Sequence, residues 1–195
     1  MNADTYAGMY SKLLARLKEL EEAAGYSLKA GPPASTQRYV EMMDFLGQAS
    51  LPESYLAFLA VADGVIVTDV RSEEVLLHIL NCDEVVSVNR NLVQIPEGVI
   101  WETPGGREVA IHTDHLFGFA MFDAEAVYCF IENDGGESPV YYHHQDEPIL
   151  AKIVGSEEWV EGELPCDSEA ASFVEWFSDR VREICERAGS SFERD

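Results

Sequence analysis

The sequence predicts an α+β domain: an antiparallel multi-stranded sheet with helices packed mainly on one of its sides. Three observations carry this. Over the first 64 residues the apolar side chains recur at steps of three and four, the spacing of a helix face. From Val65 the pattern becomes short runs rich in Val, Ile and aromatic residues, divided by Gly, Pro and Asp turns. A closing segment, 168–187, returns to helical spacing. Successive strands with short connections pair antiparallel, and helices segregated to the ends of the chain cover such a sheet rather than alternating with its strands.

The elements follow in order. Tyr6, Met9, Leu13, Leu17, Leu20 and Ala24 make one face of a first helix, with Asp4 or Thr5 as N-cap and Gly25 past its end. Gly31-Pro32-Pro33 breaks the chain, and Ser35 opens a second helix through Tyr39, Met42, Met43 and Leu46, stopped by Gly47. Ser50-Leu51-Pro52-Glu53 reads as a capping box with Pro early in the helix, where its missing N–H costs nothing. Tyr55, Phe58, Leu59 and Ala62 continue that helix and Gly64 terminates it. Strands are expected at 65–67 and 75–79, and Asn81-Cys82-Asp83-Glu84 is a second capping box before a helix with Val85, Val88 and Leu92 on its apolar face. A meander follows at 99–102, 108–112, 117–122, 126–131 and 140–143. Pro104-Gly105-Gly106, Asp123-Ala124-Glu125 and Asn133-Asp134-Gly135-Gly136 mark its turns. Residues 144–167 read as an acidic loop region with one short strand at 149–154. Asp167 or Ser168 caps the last helix, whose apolar face is Phe173, Trp176, Phe177, Val181 and Ile184. The 195 residues are expected to form one domain, with a helical extension at 1–49, a main body at 50–187 and a frayed tail at 188–195.

Charge limits the function classes. Thirteen Lys and Arg against 36 Asp and Glu give a formal net charge of −23. Phosphate backbones and anionic membrane surfaces are bound by basic side chains, so neither nucleic acid nor membrane is an expected ligand. Disorder is disfavoured too, because 47% of the residues are hydrophobic. The charge is uneven: residues 52–124 carry 12 acids and 3 bases, and 125–175 carry 13 acids and a single base, Lys152. With no apolar run long enough to span a bilayer and no basic-then-apolar N-terminal leader, the expected location is cytoplasmic. Cys82, Cys129, Cys166 and Cys185 show no CxxC spacing, which points to reduced thiols rather than a thiolate metal site.

The segment Leu51-Pro52-Glu53-Ser54-Tyr55-Leu56-Ala57-Phe58-Leu59, followed by Asp63-Gly64, resembles the LPxxYxxFLxxxNG helix that opens the SUKH (Smi/Knr-like) superfamily. Residues 80–91 are similar to that family's strand-then-helix step, 117–131 to its central strands, Pro139-Val140-Tyr141-Tyr142-His143 to its PVYYxxH-like strand, and Ala171 to Phe177 to its closing helix. Two positions depart from the pattern: Asp63 stands where Asn is usual, and Asp123-Ala124-Glu125-Ala126 replaces a GDG-type turn. The resemblance implies a non-enzymatic binding domain, in bacteria commonly an immunity protein that neutralises a cognate toxin, often a nuclease, and elsewhere a regulatory or scaffold module. It supplies no catalytic residues. Leu51, Pro52, Tyr55, Phe58, Leu59 and Gly64 are explained as helix start, core face and helix stop.

Two site readings arise from the residues themselves. His112, Asp114 and His115 offer imidazole and carboxylate ligands for a divalent metal and thus a metal-dependent hydrolase, but Ala110 stands where a fuller HxHxDH motif needs its first His. His143 and His144 point to opposite faces of a strand, so at most one of them can join. No GxSxG elbow or phosphate-binding glycine loop is present, and neither cofactor nor metal is expected. The second reading is electrostatic. Glu157, Glu158, Glu161 and Glu163 surround Trp159, while Glu132, Asp134, Glu137, Asp146 and Glu147 flank the strand bearing Tyr142. Carboxylates beside aromatic anchors suit a basic protein partner, since charge sets encounter and aromatic burial holds it. The expected function is a protein-binding domain, of the immunity type, occluding a basic toxin. A scaffold module is the alternative and the metal hydrolase a third reading. Met- and aromatic-bearing helix faces also admit a homodimer.

Overall fold

The computed structural model describes residues 2–47, 50–96, 98–132, 136–147, 149–164 and 167–189. Helix α1 (Ala3–Ala24) leads directly into strand β1 (Tyr26–Ala30), then α2 (Thr36–Leu46), α3 (Glu53–Leu59), β2 (Val65–Asp69), β3 (Val75–Ile79) and α4 (Cys82–Val88), which runs on into a π turn (Asn89–Val93). Strands β4 (Ile100–Glu102), β5 (Glu108–His112), β6 (Leu116–Met121), β7 (Ala126–Ile131), β8 (Val140–His144) and β9 (Lys152–Ile153) precede α5 (Phe173–Arg187). The fold class is α+β, as the sequence pattern predicts.

The strands form two antiparallel sheets rather than one meander. Six strands line up in the order β1-β2-β3-β6-β7-β8, and β4-β5-β9 make a separate three-stranded sheet. β1 has no counterpart in the sequence reading, because five residues, YSLKA, squeezed between Gly25 and Gly31 carry too short a pattern to register as a strand. It pairs with β2 along its whole length, from Tyr26↔Asp69 to Ala30↔Val65.

The helix boundaries show which capping signals act. Asn81 and Glu84 make the expected reciprocal capping box on α4. Pro52, rather than Ser50, occupies the N-cap of α3, without a side-chain cap of its own. Glu137, distant in sequence, takes over that role, accepting from the Ser54 N–H at 3.0 Å and from the Ser54 hydroxyl. Asn2, not Asp4 or Thr5, caps α1, and Ser172, not Asp167 or Ser168, caps α5. α3 ends at Leu59, and Gly64, at φ +86°, makes the turn into β2.

The principal core lies between the large sheet and α1, α3 and α5. Tyr55 sits at its centre, with ring centroids 5.2 to 5.9 Å from Phe117, Phe119, Phe130 and Phe173. The family-like positions Leu51, Tyr55, Phe58 and Leu59 are all buried here. α1 belongs to this core through Tyr10, Leu17 and Leu20. β6 and β7 are buried on both faces: alternate residues Leu116, Val127 and Cys129 join a second cluster with Val93, Tyr141 and Leu150. The small sheet closes a third cluster around Ile111, Ala151 and Val160. Among the described residues no helix is long and apolar enough to cross a membrane.

Candidate functional site

Direct cross-strand pairing places Tyr128 of β7 beside Tyr142 of β8. The hairpin between β6 and β7 adds Phe122, whose N–H donates to Ala126 O at 2.9 Å and whose ring is left 55% exposed. Phe122 meets Tyr142 edge-on at 5.3 Å and Tyr128 at 5.9 Å. Tyr128 in turn rests on Trp176 of α5 at 5.0 Å, so the exposed ring stands on a buried aromatic support.

Carboxylates surround this patch. Burial raises the Tyr142 hydroxyl pKa above its ordinary value, and the nearby charges of Asp123, Glu147 and Glu169 push it further. Burial does the same for Tyr128, where Arg180 opposes the shift and Glu169 and Glu183 add to it. Arg180 lies over the patch, 5.6 Å from the Tyr128 ring centre and paired to Glu183 at 3.1 Å. Asp123 accepts from the Glu125 N–H at 2.8 Å, which holds its side chain in the turn. Among the described residues Asp123, Glu147 and Glu169 have no cationic partner.

The structure sorts the sequence-predicted acids into different fates. Tyr142 and Glu147 belong to the patch, and Asp146 lies next to Glu147, exposed, with its N–H donating to His144 Nδ1. Glu137 is a helix cap that also accepts from the Tyr6 hydroxyl at 3.3 Å, and so is not free surface charge. Glu157 and Glu158 sit on the small sheet, paired with Lys152 at 2.6 Å and Arg107 at 3.6 Å. Trp159 there packs edge-on against His115 at 5.2 Å and has the Lys152 ammonium 5.2 Å from its ring centre. Glu132 and Glu163 are exposed and Glu161 is half-buried. Asp134, Cys166, most of the 133–136 turn and the tail from 190 onward lie outside the described residues. Phe122, Asp123 and Glu169 are the residues the sequence reading missed. Phe122 carried a signal: with Phe117, Phe119 and Met121 on one face of the strand, the next residue points outward.

The histidines do not assemble a metal site. His115 is buried, its Nε2 lies 2.9 Å from the Leu150 carbonyl, and burial drops its pKa to about 4. His112 lies 3.5 Å from Asp114 and faces His115 edge-on. His143 is 1% exposed with neither ring nitrogen hydrogen-bonded, and burial takes its pKa to about 4 as well. No group of three or more His, Cys, Asp or Glu residues among those described is arranged to hold a metal ion. Cys82, Cys129 and Cys185 are buried, and burial together with Asp63 raises Cys82 to about 12. No protein-family model matches the chain, and no curated protein matches it.

Proposed function

We propose that this chain is a non-enzymatic protein-binding domain of the SUKH type, acting as an immunity protein that occludes a basic toxin. The observation that carries this reading is the exposed Phe122 and half-buried Tyr142 ringed by Asp123, Glu147 and Glu169, three carboxylates without a cationic partner among the described residues. Uncompensated carboxylates attract a basic surface from a distance, and a rigid aromatic pair supplies the desolvated anchor that charge alone lacks. A nuclease cleft shaped to hold phosphates presents such a basic surface, and an acidic patch competes for it directly. The order of the LPxxYxxFL-like helix, the PVYYxxH-like strand and the closing helix supports the family assignment.

The test is co-expression with the product of an adjacent toxin-like gene, reading both complex formation and relief of toxicity. The expected outcome is a complex that weakens steeply as ionic strength rises tenfold. Protection that is absent, or binding indifferent both to salt and to reversing Asp123 and Glu147, overturns it.

A further inference from the structure

The six-stranded sheet ends on one side at β1, beyond which no strand lies among the described residues. The phase of its ladder fixes which main-chain groups face outward. Gly31 N–H donates to Gly64 O and Val70 N–H to Gly25 O, each at 3.0 Å, one at either end of an unbroken register. Bonded residues alternate along an antiparallel pair, so Gly25, Ser27, Lys29 and Gly31 turn toward β2, while Tyr26, Leu28 and Ala30 turn their N–H and C=O groups away from it. A row of outward main-chain groups is a template for a further strand.

The central donor of that row is already taken. Leu28 is the middle residue of β1, and its N–H donates to Glu21 Oε1 at 3.1 Å. Glu21 lies in the last turn of α1, and Gly25, at φ +76°, reverses the chain directly into β1, which brings a helix side chain to the open side of the strand. The carboxylate occupies the donor and sets negative charge where the carbonyl oxygen of an added strand has to lie. Lys29, exposed on the same short strand, is a charge of the kind that blunts sheet edges.

Symmetry and charge say what such an edge accepts. A two-fold axis through Leu28 sets Leu28 opposite Leu28 and Tyr26 opposite Ala30, so the outward groups of β1 are complementary to those of a second copy. Residues 1–51 hold six acids and five bases within a chain of net charge −23, so two copies repel least where these segments meet. We propose that β1 is a self-pairing edge held shut by Glu21: with the carboxylate on Leu28 the chain stays single, and with it withdrawn two copies join their sheets antiparallel through β1. The device is separate from the acidic patch, which lies on the β6-β7-β8 half of the sheet.

The experiment compares the full chain with Glu21→Ala and Glu21→Gln by sedimentation equilibrium up to about 1 mM protein, where a Kd of that size gives a large dimer fraction. Glu21 is only half-buried, so both substitutions leave the core intact. Glu21→Ala is expected to dimerise with a Kd at least about tenfold below that of the parent, and its Leu28 amide to exchange more slowly as concentration rises. Glu21→Gln keeps an acceptor for Leu28 and is expected to match the parent. Ala30→Pro deletes an outward N–H without touching the ladder to β2, and added to Glu21→Ala it is expected to restore the monomer while far-ultraviolet circular dichroism stays unchanged. A Glu21→Ala chain as monomeric as the parent, a dimer that survives Ala30→Pro, or a parent already paired through this edge overturns the proposal. Dimerisation of Glu21→Gln equal to that of Glu21→Ala overturns it too, because the hydrogen bond to Leu28 is then not what holds the edge.

Discussion

The side-chain amide of Asn89 and the main chain of Gly118 form a reciprocal pair: Asn89 Oδ1 accepts from the Gly118 N–H at 2.8 Å, and Asn89 Nδ2 donates to the Gly118 carbonyl at 2.7 Å. Asn89 thus fills the place of a strand residue at the edge of β6 where β3 no longer reaches, and its Nδ2 also donates to Val85 O at 2.8 Å. The π turn is what brings a helical residue to that register.

Replacing Asn89 by Leu leaves the Gly118 N–H and C=O buried and unpaired, so a loss of about 2–4 kcal/mol is expected in urea unfolding. Asn89→Asp should fall between, because Oδ1 still accepts from Gly118 N–H while the other oxygen opposes two carbonyls. Gly118→Ala is expected to cost about 1–3 kcal/mol, since a Cβ there meets Val93 Cγ2 at 2.8 Å and Val127 Cγ2 at 3.3 Å. An Asn89→Leu variant as stable as the parent would refute this account.

Asp63 holds a second junction. Its buried carboxylate accepts from the Cys82 N–H at 2.8 Å and pairs with Arg38 at 3.2 Å, tying α2 and the start of α4 to the turn before β2. Asp63→Ala strands that N–H and is expected to cost about 2–3 kcal/mol. Asp63→Asn, the residue usual in the resembled family, keeps an acceptor for Cys82 and gives up only the half-exposed Arg38 pair, so its expected cost is under about 1 kcal/mol. Melting curves of the two variants check the order; equal losses would show that the Arg38 pair, not the cap, matters.

Much of this architecture was legible from local signals. The α4 capping box, the glycine stops after α1 and α2, and the apolar face of α5 each depend on residues within one or two turns, and all are observed. What escaped depends on partners far away in the chain. Glu137 caps α3 across 83 residues, Asn89 pairs with Gly118 across 29, and β4-β5-β9 split from the main sheet because β9 returns to β5. The site divides in the same way. Tyr142 and Glu147 could be picked out by composition, whereas Glu157 and Glu158 looked equivalent until Lys152 and Arg107 were seen beside them.

Acidification should destabilise the fold through two rings. His115 and His143 have folded-state pKa values near 4 against 6.5 unfolded, so between these values the unfolded chain binds more protons and stability falls as pH falls. The loss is about 2 kcal/mol per ring by pH 5 relative to pH 8. His143→Phe keeps an aromatic ring in the site and removes one titration, so its unfolding midpoint should drop less over that range. Parallel curves for parent and variant would remove His143 from the account.

Charge reversal separates the two acidic regions that sequence alone could not rank. Asp123→Lys with Glu147→Lys acts on carboxylates lacking a cation among the described residues, and it also places positive charge beside Phe122 and Tyr142. The expected effect is on the association rate with a basic partner, a fall of about ten- to a hundredfold at low salt that shrinks as salt is added, while unfolding shifts only by the lost Asp123 turn bond, about 1 kcal/mol. Glu157→Lys with Glu158→Lys instead breaks the Lys152 and Arg107 pairs. The Arg107–Glu158 pair is exposed and so is the Glu157 carboxylate over the half-buried Lys152, so little stability is at stake, and the association rate should change less than threefold, through net charge alone. Stopped-flow association at two ionic strengths distinguishes the pairs of variants. If the 157/158 reversal slows binding as much as the 123/147 reversal, the partner reads total charge and the aromatic patch is not the point of contact.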